Sequence, residues 1–144
     1  MKRLVPTLAA LLALSACGGP APAPPPGPAA TVRLAAVPGR PAAGYFQLRI
    51  QGDRGALVSV TSPQAGRIEM HETMNMANMS TMHALGAIPV RDGETLSFAP
   101  GGRHLMVYDP GPGAMAGGRI DLVLHFQRGN PVTLSADVVA AGAP

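Results

Sequence analysis

Residues 120–138 read IDLVLHFQRGNPVTLSADV. In each half of this stretch apolar residues alternate with less apolar ones, and Gly129, Asn130 and Pro131 separate the halves. A period of two places alternate side chains on opposite faces of a strand, so each half predicts a strand with one buried face. Glycine, asparagine and proline favour turns. The stretch therefore predicts two strands joined by a turn.

The same alternation recurs over most of residues 31–140, and clusters of glycine, proline and aspartate lie between the alternating segments. A length of 144 residues fits one domain. Seven or so short strands separated by turns are typical of an antiparallel sandwich. We therefore predict an all-β domain over residues 31–140, followed by a tail at 141–144. Further alternating segments contain Phe46, Leu48 and Ile50, and Ile68 and Met70.

Residues 1–16 have the composition of a bacterial lipoprotein signal peptide. Lys2 and Arg3 form a basic start. The apolar run that follows is shorter than the ~20 residues that a membrane-spanning helix needs. Residues 14–17, LSAC, resemble a lipobox, in which the chain is cut before a lipidated cysteine. We expect Cys17 to carry the lipid and to hold the protein in the cell envelope, facing the periplasm.

Residues 17–30 are expected to form a tether between the lipid and the domain. They are rich in proline, alanine and glycine, and such a chain favours extended polyproline II at ~3.1 Å per residue. Gly18 stands where an aspartate would retain a lipoprotein in the inner membrane, which favours the outer membrane.

Charge and cysteine content exclude several classes of function. Without Lys2 and Arg3, nine basic residues face eight acidic ones, which leaves a net charge of +1. The basic residues are scattered, so no nucleic-acid partner is predicted. Cys17 is the only cysteine, which excludes an internal disulfide, a redox-active cysteine pair and, once lipidated, a thiolate metal site.

Methionine is unusually dense over residues 70–83, which read MHETMNMANMSTMH. This segment has few aliphatic residues and is poor core material. One interpretation is a flexible, methionine-rich packing or binding surface; the other is a set of metal ligands. The methionines are Met70, Met74, Met76, Met79 and Met82.

Histidine placement favours the metal interpretation. His104 and Met106 are two residues apart in a predicted strand, so they share a face. His71 lies on the polar face of its own strand, opposite Met70. Thioether and imidazole ligands suit copper(I), whereas calcium and magnesium need clustered oxygen ligands and structural zinc needs cysteine or more histidine.

The chain resembles the periplasmic copper chaperones called PCuAC, which serve cytochrome oxidase assembly. His71 is followed by ten residues and Met82, then by twenty-one residues and His104, then by one residue and Met106. This spacing matches the family's ligand pattern without a gap. Flanking segments resemble the family as well, and together they cover residues 31–140: GYFQLRI, VTSPQAGRIEMHET, FAPGGRHLMVYD and IDLVLHFQRGNPVTLSADV.

The resemblance implies a cupredoxin-like β-sandwich with an exposed copper(I) site made by His71, Met82, His104 and Met106. It implies a monomeric chaperone, not an enzyme, that passes copper to a partner such as a cytochrome c oxidase subunit or a thioredoxin-like assembly factor. Copper tolerance or storage would use the same site, and a metal-free envelope lipoprotein is the remaining alternative. The spacing favours Met82, but it leaves open whether a neighbouring methionine can replace it or form a second site: Met74, Met76 or Met79.

Other polar and methionine side chains are assigned lesser roles. His83 is predicted to be solvated, His125 to lie on an outer face and Met115 to lie in a loop. Tyr108 shares the face of His104 and is expected to pack beside it. Two nearby acids, Glu72 and Asp109, could tune the histidines, although solvated surface acids are the default.

Overall fold

A computed structural model describes residues 29–77 and 79–143. The predicted signal peptide, Cys17 and nearly all of the tether lie outside these residues. Within them the chain forms ten β-strands, and there is no helix long and apolar enough to cross a membrane. The strands are β1 (Ala30–Arg33), β2 (Ala42–Arg49), β3 (Ala56–Thr61), β4 (Ala65–Met76), β5 (Met79–Ala84), β6 (Ile88–Pro89), β7 (Thr95–Phe98), β8 (Arg103–Pro110), β9 (Arg119–Phe126) and β10 (Val132–Val139).

The strands form one curled, sandwich-like sheet in the order β5-β4-β8-β2-β1-β10-β9-β3-β6, with β7 paired to β2. β3 and β4, from opposite halves of this order, contact each other. The curl thereby encloses a core between the two halves.

Alternation along the strands places the core as the sequence predicts. Phe46 on β2 and Phe98 on β7 stack with ring centroids 4.5 Å apart. Leu105 and Val107 on β8 are fully buried, so the other face of β8 points away from the core. That outer face positions the candidate site.

The all-β sandwich prediction is confirmed, but three details differ. β1 and β10 run parallel, while every other strand pair in the described residues is antiparallel. The described residues hold ten strands instead of about seven, because the methionine-rich segment and the two residues of β6 also pair. Ala30, placed in the tether, is a buried residue of β1. Periodicity in the sequence indicates which face of a strand is buried. It does not indicate the direction of the neighbouring strand or how far the pairing between two strands extends.

Candidate metal centre

The centre of the site is a cross-strand pair of histidines. β4 and β8 are antiparallel, and their register places His71 directly opposite His104. Cross-strand partners project from the same face of a sheet. The two ring centroids are 6.1 Å apart and the rings are tilted by 37°. This separation is compatible with both imidazoles binding one ion.

The register also places both predicted methionine ligands on this face. Met106 lies opposite Glu69, which is two residues before His71. Met82 on β5 lies opposite Thr73, which is two residues after His71. Because residues two apart share a face, both methionines project on the histidine side, at opposite ends of the pair.

His104 presents one free nitrogen. Its Nδ1 lies 3.0 Å from the carbonyl oxygen of Gly102. A carbonyl only accepts, so Nδ1 carries the proton and donates it in the neutral ring. Nε2 is then the unprotonated nitrogen that can bind a metal. The Gly102 carbonyl also accepts from the amide of Thr73, and His104 is only 6% exposed. The ring is therefore held before any ion arrives.

His71 presents its other nitrogen. Its Nε2 lies 3.1 Å from Oε2 of Glu69 and donates to that carboxylate in the neutral ring. Its Nδ1 is buried and has no hydrogen-bond partner within the described residues. A buried polar atom without a partner is costly, and binding a metal ion would satisfy this one.

Glu69 is the centre of a polar network behind His71. The hydrogen bond from His71 holds the pKa of this carboxyl below its usual range, against partial desolvation, and Tyr108 and Arg67 act in the same direction as His71. The Tyr108 hydroxyl donates to Oε2 over 3.1 Å. Arg67 Nε lies 3.2 Å from Oε1. Glu69 therefore fixes the orientation of the His71 ring.

Sequence reasoning missed Glu69 and named two other acids as possible tuning residues, with solvated surface acids as the default. Glu72 lies on the opposite face of β4, with its carboxylate 3.7 Å from Arg103. Asp109 is exposed near the end of β8. Tyr108 does more than pack, since it bonds Glu69. The signal was available: Glu69 precedes His71 by two residues in a predicted strand and so shares its face.

The methionine-rich segment forms a β-hairpin. β4 continues to Met76, beyond the last residue that pairs with β8. The chain then turns at Ala77, whose φ is 42°, and β5 pairs back along β4. Met82 is 52% exposed on this edge strand. His83 lies on the opposite face, paired with Glu72, as alternation requires.

The remaining candidates lie away from this face. His125 on β9 hydrogen-bonds the hydroxyl of Thr61 over 2.8 Å. Met115 is exposed in the segment between β8 and β9. Neither is brought to the histidine pair.

The donor set is soft and neutral. Within the part of the chain that the structure describes, no three His, Cys, Asp or Glu side chains gather to hold a metal ion. The other two predicted ligands on this face, Met82 and Met106, carry thioethers. Thioethers select soft ions and imidazole also suits copper, so the arrangement fits copper(I).

Comparison with known protein families places most of the chain in one of them. The family model described as "Putative lipoprotein LpqE-like" matches residues 27–138. The chain is 31% identical over 83 residues to "Putative lipoprotein Lxx21020" of Leifsonia xyli subsp. xyli, and 32% identical over 71 residues to "Uncharacterized protein RP573" of Rickettsia prowazekii. These matches cover 57% and 49% of this chain, and 50% and 39% of those proteins. The chain thus spans about half or less of the curated relatives that it matches.

Solved structures share the fold. The copper-bound PCuAC domain from PmoF2 superposes with a TM-score of 0.60 at 23% identity, over 77% of this chain and 88% of that one. The solution structure of CuI-DR1885 from Deinococcus radiodurans superposes with a TM-score of 0.56 at 25% identity, over 78% of this chain and 76% of that one. The sandwich described above is therefore the fold of these domains.

Proposed function

Because the chain belongs to the LpqE-like family, we propose that it is a lipid-anchored copper(I) carrier of the cell envelope. It binds one ion through His71, Met82, His104 and Met106. The observation that carries the proposal is the histidine pair on one face of β4 and β8, in which the hydrogen bonds to Glu69 and Gly102 engage only one nitrogen of each ring.

The comparisons support both parts of this proposal, the lipid anchor and the binding of copper(I). A Leifsonia relative is named as a lipoprotein, which agrees with the expected lipid on Cys17. The DR1885 protein, which shares this fold, was solved with copper(I). Two neutral imidazoles and two thioethers leave the charge of the ion uncompensated, which favours the monovalent ion over copper(II).

The site is arranged for transfer. His104 and Met106 lie on a central strand of the sheet, whereas Met82 is exposed on the edge strand β5. An incoming ligand from a partner can replace Met82 first, while the β8 ligands still hold the ion. A cytochrome c oxidase subunit or a thioredoxin-like assembly factor would be such a partner. The tether, which ends before Ala30, would let the domain reach it from the periplasmic face of the outer membrane.

Titration of the full chain against a colorimetric copper(I) chelator tests the metal half of the proposal. Every sample carries Cys17→Ser, so that no free thiol competes for copper. We expect one tightly held equivalent that is colourless, since blue copper requires a cysteine thiolate. Loss of this equivalent in the variant His71→Ala/His104→Ala supports the assignment. Absence of any tight equivalent in the parent would exclude it.

Cell fractionation tests the anchor. The wild-type protein should remain with the membranes, and Cys17→Ser should release it, because two or more acyl chains give stable anchoring. Equal release of the two proteins would remove the lipoprotein assignment. Oxidase activity of a deletion strain at limiting copper then separates delivery from storage or tolerance.

A further inference from the structure

Three methionines of the hairpin lie on the face that the histidine site does not use. Met76 is paired directly with Met79, and Met74 is paired with Thr81. Met74 and Met76 are two residues apart and share a face. Met74 follows Thr73 by one residue and Met76 follows it by three, and Thr73 shares the face of Met82. Met74, Met76 and Met79 therefore form one cluster, the methionine face, on the opposite side of the ribbon from Met82.

The spacing on this face allows three sulfurs to converge. Directly opposed residues in an antiparallel pair have Cβ atoms about 4.5–5.5 Å apart, and neighbours at about 7–8 Å remain within reach of long side chains. Methionine is unbranched and has three rotatable bonds. The thioethers of Met76 and Met79 can thus meet, with that of Met74 completing a threefold group.

Packing does not account for these side chains. Met70 lies on the same face of β4, four residues before Met74, and is buried in the core. The pairing of β4 with β8 ends at Glu72 and Arg103, and the hairpin continues beyond that point. All three side chains of the methionine face are large, apolar and exposed. Residues 73–82 also contain no charged side chain, so the face offers thioether sulfur as its metal-binding group.

We propose that the methionine face is a second soft-metal site, which binds one copper(I) or silver(I) ion through Met74, Met76 and Met79. Soft thioethers select monovalent copper. The site lacks the fixed imidazoles of the first one, so it binds more weakly and exchanges faster. Because the two groups of sulfurs lie on opposite faces of the same two strands, both ions can be bound at once. This site goes beyond the proposed function, and it would exist even if the histidine site bound nothing.

Methyl-labelled methionine makes each thioether visible separately. The full chain with Cys17→Ser, labelled at the methionine methyl carbons and held in detergent micelles, is titrated with silver(I) while carbon–proton correlation spectra are recorded. Silver(I) is used because it is a soft monovalent ion that does not change oxidation state. We expect the methyl signals of Met82 and Met106 to move with the first equivalent. Those of Met74, Met76 and Met79 should move together with a second.

Variants connect the second equivalent to its ligands. Met76→Leu/Met79→Leu conserves side-chain volume, which limits structural cost, and should abolish the second step while leaving the first unchanged. Met115→Leu is the matched control: Met115 is 69% exposed, as is Met79, but it lies outside the hairpin, so both steps should persist. In His71→Ala/His104→Ala the first step should disappear and the methionine-face step should remain.

The outcomes separate the two sites. The second site is overturned if the signals of Met74, Met76 and Met79 stay in place up to several equivalents, or if Met76→Leu/Met79→Leu retains the second step. In either case the signals of Met82 and Met106 still report on the histidine site. If the methyl signals of Met74, Met76 and Met79 do not move, the methionine face would instead be interpreted as an apolar docking surface for a partner protein.

Discussion

Strands β8 and β5 both supply ligands to the proposed copper site, but they differ in how the fold holds them. β8 lies inside the sheet, paired with β4 on one side and β2 on the other. Among the described strands, β5 is an edge strand that pairs only with β4, and all six of its residues are exposed. The β8 ligands are therefore held by the fold before an ion binds, whereas the ligand on β5 must be ordered when it binds.

Because of this difference, we expect the two strands to contribute differently to copper binding. Ligands on β8 would lose little conformational freedom on binding, so we expect them to supply most of the affinity. A ligand on β5 must be immobilised, which costs about 0.5–1.5 kcal/mol for a flexible side chain. In return, the edge strand leaves its ligand within reach of a partner.

The largest effect is expected on stability. Leu105→Ala on β8 empties a fully buried position and should lower the free energy of unfolding by about 3 kcal/mol. Met79→Ala on β5 removes an exposed side chain and should change it by less than about 0.5 kcal/mol. Urea unfolding followed by circular dichroism measures both. Equal losses would mean that the hairpin is an integral part of the core.

Copper affinity should depend most on His104. Loss of a residue that only orients a ligand costs about 10–100-fold in metal affinity, so His104→Ala should weaken copper(I) binding by at least about 100-fold. His83→Ala, on the other face of the hairpin, is the matched control and should leave the affinity unchanged. His104 is buried, so its loss can also affect stability, and an unfolding curve must accompany the titration. A minor loss in a folded His104→Ala variant would exclude His104 as a ligand.

Much of this arrangement could be predicted from sequence, and the reasons for the misses are specific. Alternation in residues 120–138 predicts two strands with a buried face, as observed. Period two also predicts that His104 and Met106 share a face. The parallel pairing of β1 with β10 could not be predicted, because it depends on where two distant strands meet. Pairing of Met79–Ala84 was missed because the segment lacks the aliphatic pattern of a strand with a buried face.

The two proposed methionine ligands lie one on each of these strands. Met106→Ala should weaken copper(I) binding more than Met82→Ala does. Met106 is half-buried on β8, whereas Met82 is exposed on β5 and must be ordered on binding. The sequence left open a second reason, replacement of Met82 by a neighbouring methionine. Competition titration of both variants decides the order. A greater loss for Met82→Ala would show that the edge strand is ordered without metal.

β4 pairs with both β8 and β5. It also carries Glu69, which we expect to act as a positioning residue for His71. Glu69→Gln keeps an acceptor oxygen but loses the negative charge behind His71, so copper(I) affinity should fall by about tenfold, the lower end of the range for such partners. The nitrogen shifts of the His71 ring provide a second measurement. They should show loss of the single tautomer that Glu69 imposes, while those of His104, held by Gly102, should stay unchanged. Unaltered His71 shifts would show that Glu69 does not orient the ring.

The smallest expected effect concerns redundancy within the hairpin. If neighbouring methionines could replace Met82, then adding Met76→Leu/Met79→Leu to Met82→Ala would weaken the first copper(I) equivalent further. The register argues against it, because Met76 and Met79 are paired with each other on the face opposite Met82. Reaching the histidines from that face would require the hairpin to slip by one residue, which would exchange the faces of all its side chains. We therefore expect the triple variant to bind the first equivalent as tightly as Met82→Ala alone. The double variant without Met82→Ala serves as control and should match the parent at this equivalent. A further loss confined to the triple variant would mean that the ribbon changes register when Met82 is absent, and that the edge strand is a movable part of the site.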